Sequence, residues 1–60
     1  MIKTIAFSTK SIYDLSDIIN DFSKIHKILN INYSIEHISK YVTYHNALVM
    51  YEVEKGKKDD

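Results

Sequence analysis

Cysteine is missing from this 60-residue chain. That excludes disulfides, thiolate chemistry and every cysteine-built zinc or iron–sulfur site. Arginine is missing as well, which removes the bidentate fork favoured for phosphate and base recognition. The single glycine is Gly56, near the end of the chain, so no glycine-rich loop can cradle a phosphate. Proline is absent too. Charge of one sign is not in excess either. Eight lysines balance eight acids for a formal net charge of zero, so no overall field draws nucleic acid or an anionic membrane. No apolar run approaches the ~20 residues of a membrane span, and no signal-peptide pattern opens the chain. The expectation is a cytoplasmic protein that makes no use of a membrane.

Such a short chain has room for one hydrophobic core. A domain of this size buries only ~60% of the surface its unfolded form exposes. Small domains compensate with disulfides, a metal or a partner subunit. With cysteine gone, packing quality and oligomerisation remain.

Residues 2–8 alternate as a strand, with Ile5 and Phe7 on one side and Ile2, Thr4 and Ala6 on the other. From Ser11 the period changes. Ile12, Leu15, Ile18, Ile19, Phe22 and Ile25 form the apolar stripe of an amphipathic helix expected over residues 11–27. Ser11 with Asp14 three places on suggests a capping box, while Lys24 and Lys27 fall where a last turn favours cations. A second strand places Leu29, Ile31, Tyr33 and Ile35 on one face, against Asn30, Asn32, Ser34 and Glu36 on the other. The stretch 39–46 lacks the Asn-Gly of a two-residue hairpin turn, so a longer loop or a bulge is expected there.

The third strand is apolar on both faces. Ala47, Val49, Tyr51 and Val53 point one way, Leu48 and Met50 the other. That suits a central position. The expected fold is therefore α+β: a βαββ domain over residues 1–54, with one helix on a three-stranded mixed sheet and the third strand in the middle. A flexible charged tail is expected over 55–60. One helix cannot cover both faces of the sheet. Ile2, Ala6, Leu48 and Met50, with Tyr41 and Tyr44 near the hairpin, are the expected interface of a homodimer or a bound partner.

Little points to catalysis. Asp14, Asp17 and Asp21 form one polar helix stripe whose ordinary reading is a solvated face. His26, His37 and His45 lack the spacing that brings two imidazoles to one metal. None of the serines lies in a glycine-flanked elbow. The expectation is a non-enzyme with no cofactor and no metal site. Tyr33, Tyr41, Tyr44 and Tyr51 read as a cluster around the second hairpin. Aromatics there serve a protein interface, or stack on single-stranded nucleic acid, or simply favour strands. Only Lys40 lies near them, which makes nucleic acid the weaker reading.

Lys3, Phe7, Asp14, Leu15, Ile19, Asn20, Phe22, Ile31, Tyr33, Ser34, Ile35, Ala47, Leu48 and Tyr51 together form a pattern. It resembles that of a family of very short Firmicute sporulation proteins, also carried by Bacillus-group phages. The usual form is K-x-x-x-F, D-L-x-x-x-[IV]-N-x-F, I-x-Y-S-[IV] and a closing Y-S-A-[LM]-I-x-Y. The chain departs at "YHNAL", where Tyr-Ser usually precedes Ala. The resemblance implies no catalytic residues. It implies a role like that of other small phage proteins, among them dimeric inhibitors of bacterial defence systems. The function expected is thus a homodimeric binding protein from a phage or mobile element that blocks a host protein. The alternatives are a small-ligand sponge for nucleotide signals, binding at a dimer junction, and a single-stranded nucleic-acid module.

Overall fold

A computed structural model describes residues 1–53. Four elements follow in order: β1 (Ile2–Thr9), α1 (Ile12–Ser23), β2 (Lys27–His37) and β3 (Thr43–Glu52). The sheet order is β1-β3-β2, so β3 is central as its two-sided apolar run demands. β1 and β2 each pair with β3 antiparallel. They run parallel to one another without touching, so the sheet expected to be mixed has only antiparallel ladders. The expected tail at 55–60 lies outside the described residues.

Register fixes the faces. Directly opposed residues in an antiparallel pair share a face. Val49 faces Ile5 on one side and Ile31 on the other, while Ala47 faces Phe7 and Tyr33. This is the face the helix covers: Leu15 joins Ala47 and Val49 as the fully buried core, ringed by Ile5, Phe7, Ile19, Phe22 and Ile28. Phe22 meets Phe7 edge-on at 5.6 Å and Tyr51 edge-on at 4.7 Å. Such T-shaped contacts add to the area term.

The helix begins as its cap residue requires. Ser11 is extended (φ −125°, ψ 132°) and its hydroxyl accepts from the Tyr13 N–H. It ends earlier than the apolar stripe. The expected helix to residue 27 stops at Ser23, Lys24 is the C-cap, and Lys27 already opens β2. Neither lysine therefore lies in the last helical turn. The reason is topological. Lys27 and Ile2 both stand opposite Glu52, so the chain must be back at the end where β1 starts by residue 27. Twelve helical residues rise ~18 Å, and the three that follow make the crossing to β2. Ser23 reinforces the stop by donating its hydroxyl to the Asn20 carbonyl. Ile25, counted on the stripe, is 74% exposed.

β2 departs from simple alternation. Ile28 opposes Tyr51 and Ile31 opposes Val49, both on the helix face, although they are three residues apart. A register shift between Ile28 and Asn30 makes this possible, with Leu29 as the extra residue of a bulge. Leu29 thus leaves the regular face on which Ile31, Tyr33 and Ile35 remain. The hairpin closes through Ile38–Val42, where the Ile38 N–H donates to the Val42 carbonyl at 3.0 Å. No described residue has positive φ. The longer connection makes the glycine-dependent primed turns unnecessary.

Candidate interaction surfaces

Three surfaces stay open around this small core. The first is the back of the sheet. There β1 presents Ile2, Thr4, Ala6 and Ser8, each opposite an even-numbered residue of β3 from Glu52 to Asn46. Leu48 is 49% and Met50 38% exposed. β2 brings Asn30, Asn32 and Ser34 to the same face, opposite Met50, Leu48 and Asn46. The back face is therefore divided, apolar along β1 and β3 near Ile2 and Met50, amide-rich along β2. A depression of about 290 Å³ lies over its middle, with Ser8, Asn32, Ser34 and Asn46 in its lining. Across it the Ser8 hydroxyl donates to Asn46 Oδ1 at 2.6 Å.

The second surface lies on the helix side of β2. The helix packs on β1 and β3, leaving Ile31, Tyr33 and Ile35 between 41% and 50% exposed. A groove of about 320 Å³ separates Ile31 and Tyr33 from the flank of α1, with Ala47, Leu15, Ile19 and Asn20 in its lining. Along this strip the Tyr33 hydroxyl lies 2.7 Å from His45 Nδ1, and the two rings stack at 6.1 Å. The pair stiffens the strand without covering it.

The third surface is the hairpin tip. β1 ends opposite His45, whereas β2 and β3 pair on to His37–Thr43. Tyr41 projects from the tip at 87% exposure, with the Lys40 ammonium 5.8 Å from its ring centre. Tyr44 is half-buried on the back face, opposite Glu36.

The tyrosines expected to cluster are thus dispersed. Tyr51 packs under the helix against Phe22 and His26, Tyr33 lies on the helix side of β2, Tyr44 lies on the back, and Tyr41 sits at the tip. Strand parity separates Tyr44 from Tyr51, an odd number of residues apart. Of the expected interface residues, the fold brings Ile2, Ala6, Leu48 and Met50 together with Tyr44 on one face. Tyr41 lies away from them.

The His26 ring lies tilted against Phe22 at 4.8 Å and Tyr51 at 4.9 Å, at the aromatic end of the core. His37 Nδ1 lies 3.1 Å from Thr43 Oγ1 across the hairpin. Asp14, Asp17 and Asp21 remain exposed, and Asp21 pairs with Lys24 at 3.4 Å. Among the described residues no three His, Asp or Glu side chains converge on a possible metal position. No helix among them is long and apolar enough to cross a membrane.

The residues that sequence reasoning undervalued are Ile31, Tyr33 and Ile35. Their alternation marks a buried strand face. Only the length and placement of α1 reveal that nothing covers it. Compared with protein-family models, curated proteins and solved structures, the chain matches none.

Proposed function

We propose that this chain is a non-enzymatic binding protein that works as a homodimer and acts by occupying a surface of a host protein. One imbalance supports this reading above all. Three described residues are fully buried, whereas fourteen large hydrophobic side chains are more than a third exposed. Burial yields ~25 cal/mol per Å² of apolar area, so a core of three cannot offset much of the entropy of ordering the chain. Contiguous exposed apolar surface of this kind marks an interaction site. Self-association takes one open apolar surface. The other, with Tyr41 and Tyr44 near the tip, is offered to the target. The resemblance to short phage-borne proteins supports a role as a defence inhibitor carried by a phage or mobile element, acting in the bacterial cytoplasm.

The rival readings find less support in the same geometry. A sponge for nucleotide signals needs cations around a phosphate, and no lysine lines either depression. A single-strand binder needs aromatics interleaved with cations on one face. The back face presents Glu36 and Glu52 with a single lysine, Lys27, which stands opposite Glu52 at one end of the sheet.

Two measurements test the proposal. Sedimentation equilibrium at micromolar concentration is expected to return twice the chain mass. A lone monomer with a cooperative melt refutes the dimer. Passing a bacterial lysate over the tagged protein is expected to retain one host protein in stoichiometric amount. Tyr41→Ser combined with Tyr44→Ser is expected to lose it at unchanged sedimentation mass. Equal retention by the double variant places the target elsewhere.

A further inference from the structure

We infer that the seam of the homodimer is the outer edge of β2, paired antiparallel with β2 of a second copy and centred on Ser34. The inference rests on the dimer proposed above and specifies where its subunits meet.

The argument begins with the backbone. Antiparallel ladders alternate between pairs that exchange hydrogen bonds and pairs that do not. The Ile38 N–H donates to the Val42 carbonyl. By alternation Glu36–Tyr44, Ser34–Asn46 and Asn32–Leu48 are the bonded pairs within the chain. Ile31, Tyr33, Ile35 and His37 therefore turn their N–H and C=O groups outward along the free edge. Such a row is a template for another strand. Proteins that keep an edge unpaired blunt it with proline, lysine or a bulge. Here the bulge sits at Leu29, and from Asn30 to His37 the strand runs straight without proline or lysine.

The register follows from using the whole row. With Ser34 opposite its own copy, Tyr33 faces Ile35 of the partner subunit and Ile31 faces His37 of the partner subunit. Four bonded pairs then form, of two hydrogen bonds each, or about eight in all. Centring on Tyr33 instead sets His37 against the bulge and loses one of those pairs. The faces also agree. On the helix side apolar Ile31, Tyr33 and Ile35 of both copies meet in one strip between the two helices. On the back Asn32 faces Glu36 of the partner subunit, and no like charges are opposed. The product is a continuous six-stranded antiparallel sheet, closed by a two-fold axis.

The competing seams are poorer. Stacking the back faces buries Asn30, Asn32, Ser34 and Asn46, whose side-chain amides and hydroxyl lose water without a defined partner. The β1 edge offers less apolar gain, because Ile5 and Phe7 are already half-buried beneath α1.

The chain has no cysteine, so a single thiol reports the seam. Ser34 and its copy form a non-bonded pair with Cα atoms ~4.5 Å apart, within disulfide range. Under mild oxidation Ser34→Cys is expected to run almost entirely as a covalent dimer. Leu48→Cys is expected to remain a single chain, and Met50→Lys to sediment as a dimer. A wild type that sediments as dimer while Ser34→Cys fails to cross-link overturns the seam and leaves the dimer standing. Cross-linking through Leu48→Cys, or dissociation by Met50→Lys, does the same in favour of the back face. A wild type that sediments as monomer removes the dimer itself.

Discussion

Leu15→Ala is expected to unfold most of the chain at room temperature. Leu15 is 2% exposed and is the only helix residue wholly inside the core. Truncating a buried leucine costs about 2–5 kcal/mol, as lost transfer energy plus the cavity left behind. A single core of this size rarely supplies more than ~3–5 kcal/mol. The loss is therefore comparable with everything available. The neighbours cannot close the gap. Ala47 and Val49 lie on the central strand, fixed by ladders on both sides, so the sheet cannot rise towards the helix. The cavity stays open and the cost falls at the upper end of the range. Ile25→Ala is the matched control, since Ile25 was legible as a stripe residue yet is largely in solvent. Its change is expected within about 0.5 kcal/mol. Urea titrations followed by far-ultraviolet circular dichroism distinguish the two. Equal midpoints for both variants would place Leu15 outside the core.

That contrast locates what could and could not be read in the chain. Periods of two and 3.6 residues assign a residue to a face of its own element, and they did so for all of β3 and, on the helix stripe, for Leu15, Ile19 and Phe22, whereas Ile12, Ile18 and Ile25 are exposed. The central place of β3 followed, because Leu48 and Met50 on one face and Ala47 and Val49 on the other suit a strand flanked on both edges. Periodicity is silent on where two elements stop facing each other. The stripe continues to Ile25, but the helix stops where the return to the start of the sheet requires. Ile28 shows the same limit in a strand. It reaches the core through the bulge at Leu29, and a bulge has no fixed residue signature outside glycine types. The aromatic cluster of Phe22, His26 and Tyr51 joins α1, the connection that follows it and β3 at one end of the sheet. No local spacing encodes it. The interaction surfaces were partly legible for the same reason. The back face follows from parity on β3, whereas the open strip on β2 depends on the short helix lying over the other two strands.

If folding and association are one reaction, thermal stability must depend on how much protein is present. Two unfolded chains form one folded dimer, so each tenfold dilution removes about 1.4 kcal/mol per mole of dimer. Two chains of this length together carry an unfolding enthalpy of roughly 70 kcal/mol. By the van't Hoff relation, dilution over three decades, from about 100 μM to about 0.1 μM, then lowers Tm by about 20 °C. A monomeric fold under the same dilution keeps its Tm. The expected slope follows from the buried inventory. Among the described residues only Leu15, Ala47 and Val49 are fully enclosed, so in the proposed dimer it is the second copy that would take Ile31, Tyr33 and Ile35 out of water. Differential scanning fluorimetry at the upper concentrations and circular dichroism in long cells at the lower ones read the same transition. A Tm that stays constant across the series would mean the single chain is stable with those side chains in water, and association would then be a property of an already folded domain. A Tm that falls in wild type, and lies lower and flat in Ile35→Lys, would tie the folding free energy to the strip beside the β2 edge. Ile35 is half exposed in the single chain, so the lysine costs little there. Its charge becomes costly where the strips of two copies meet and water is excluded.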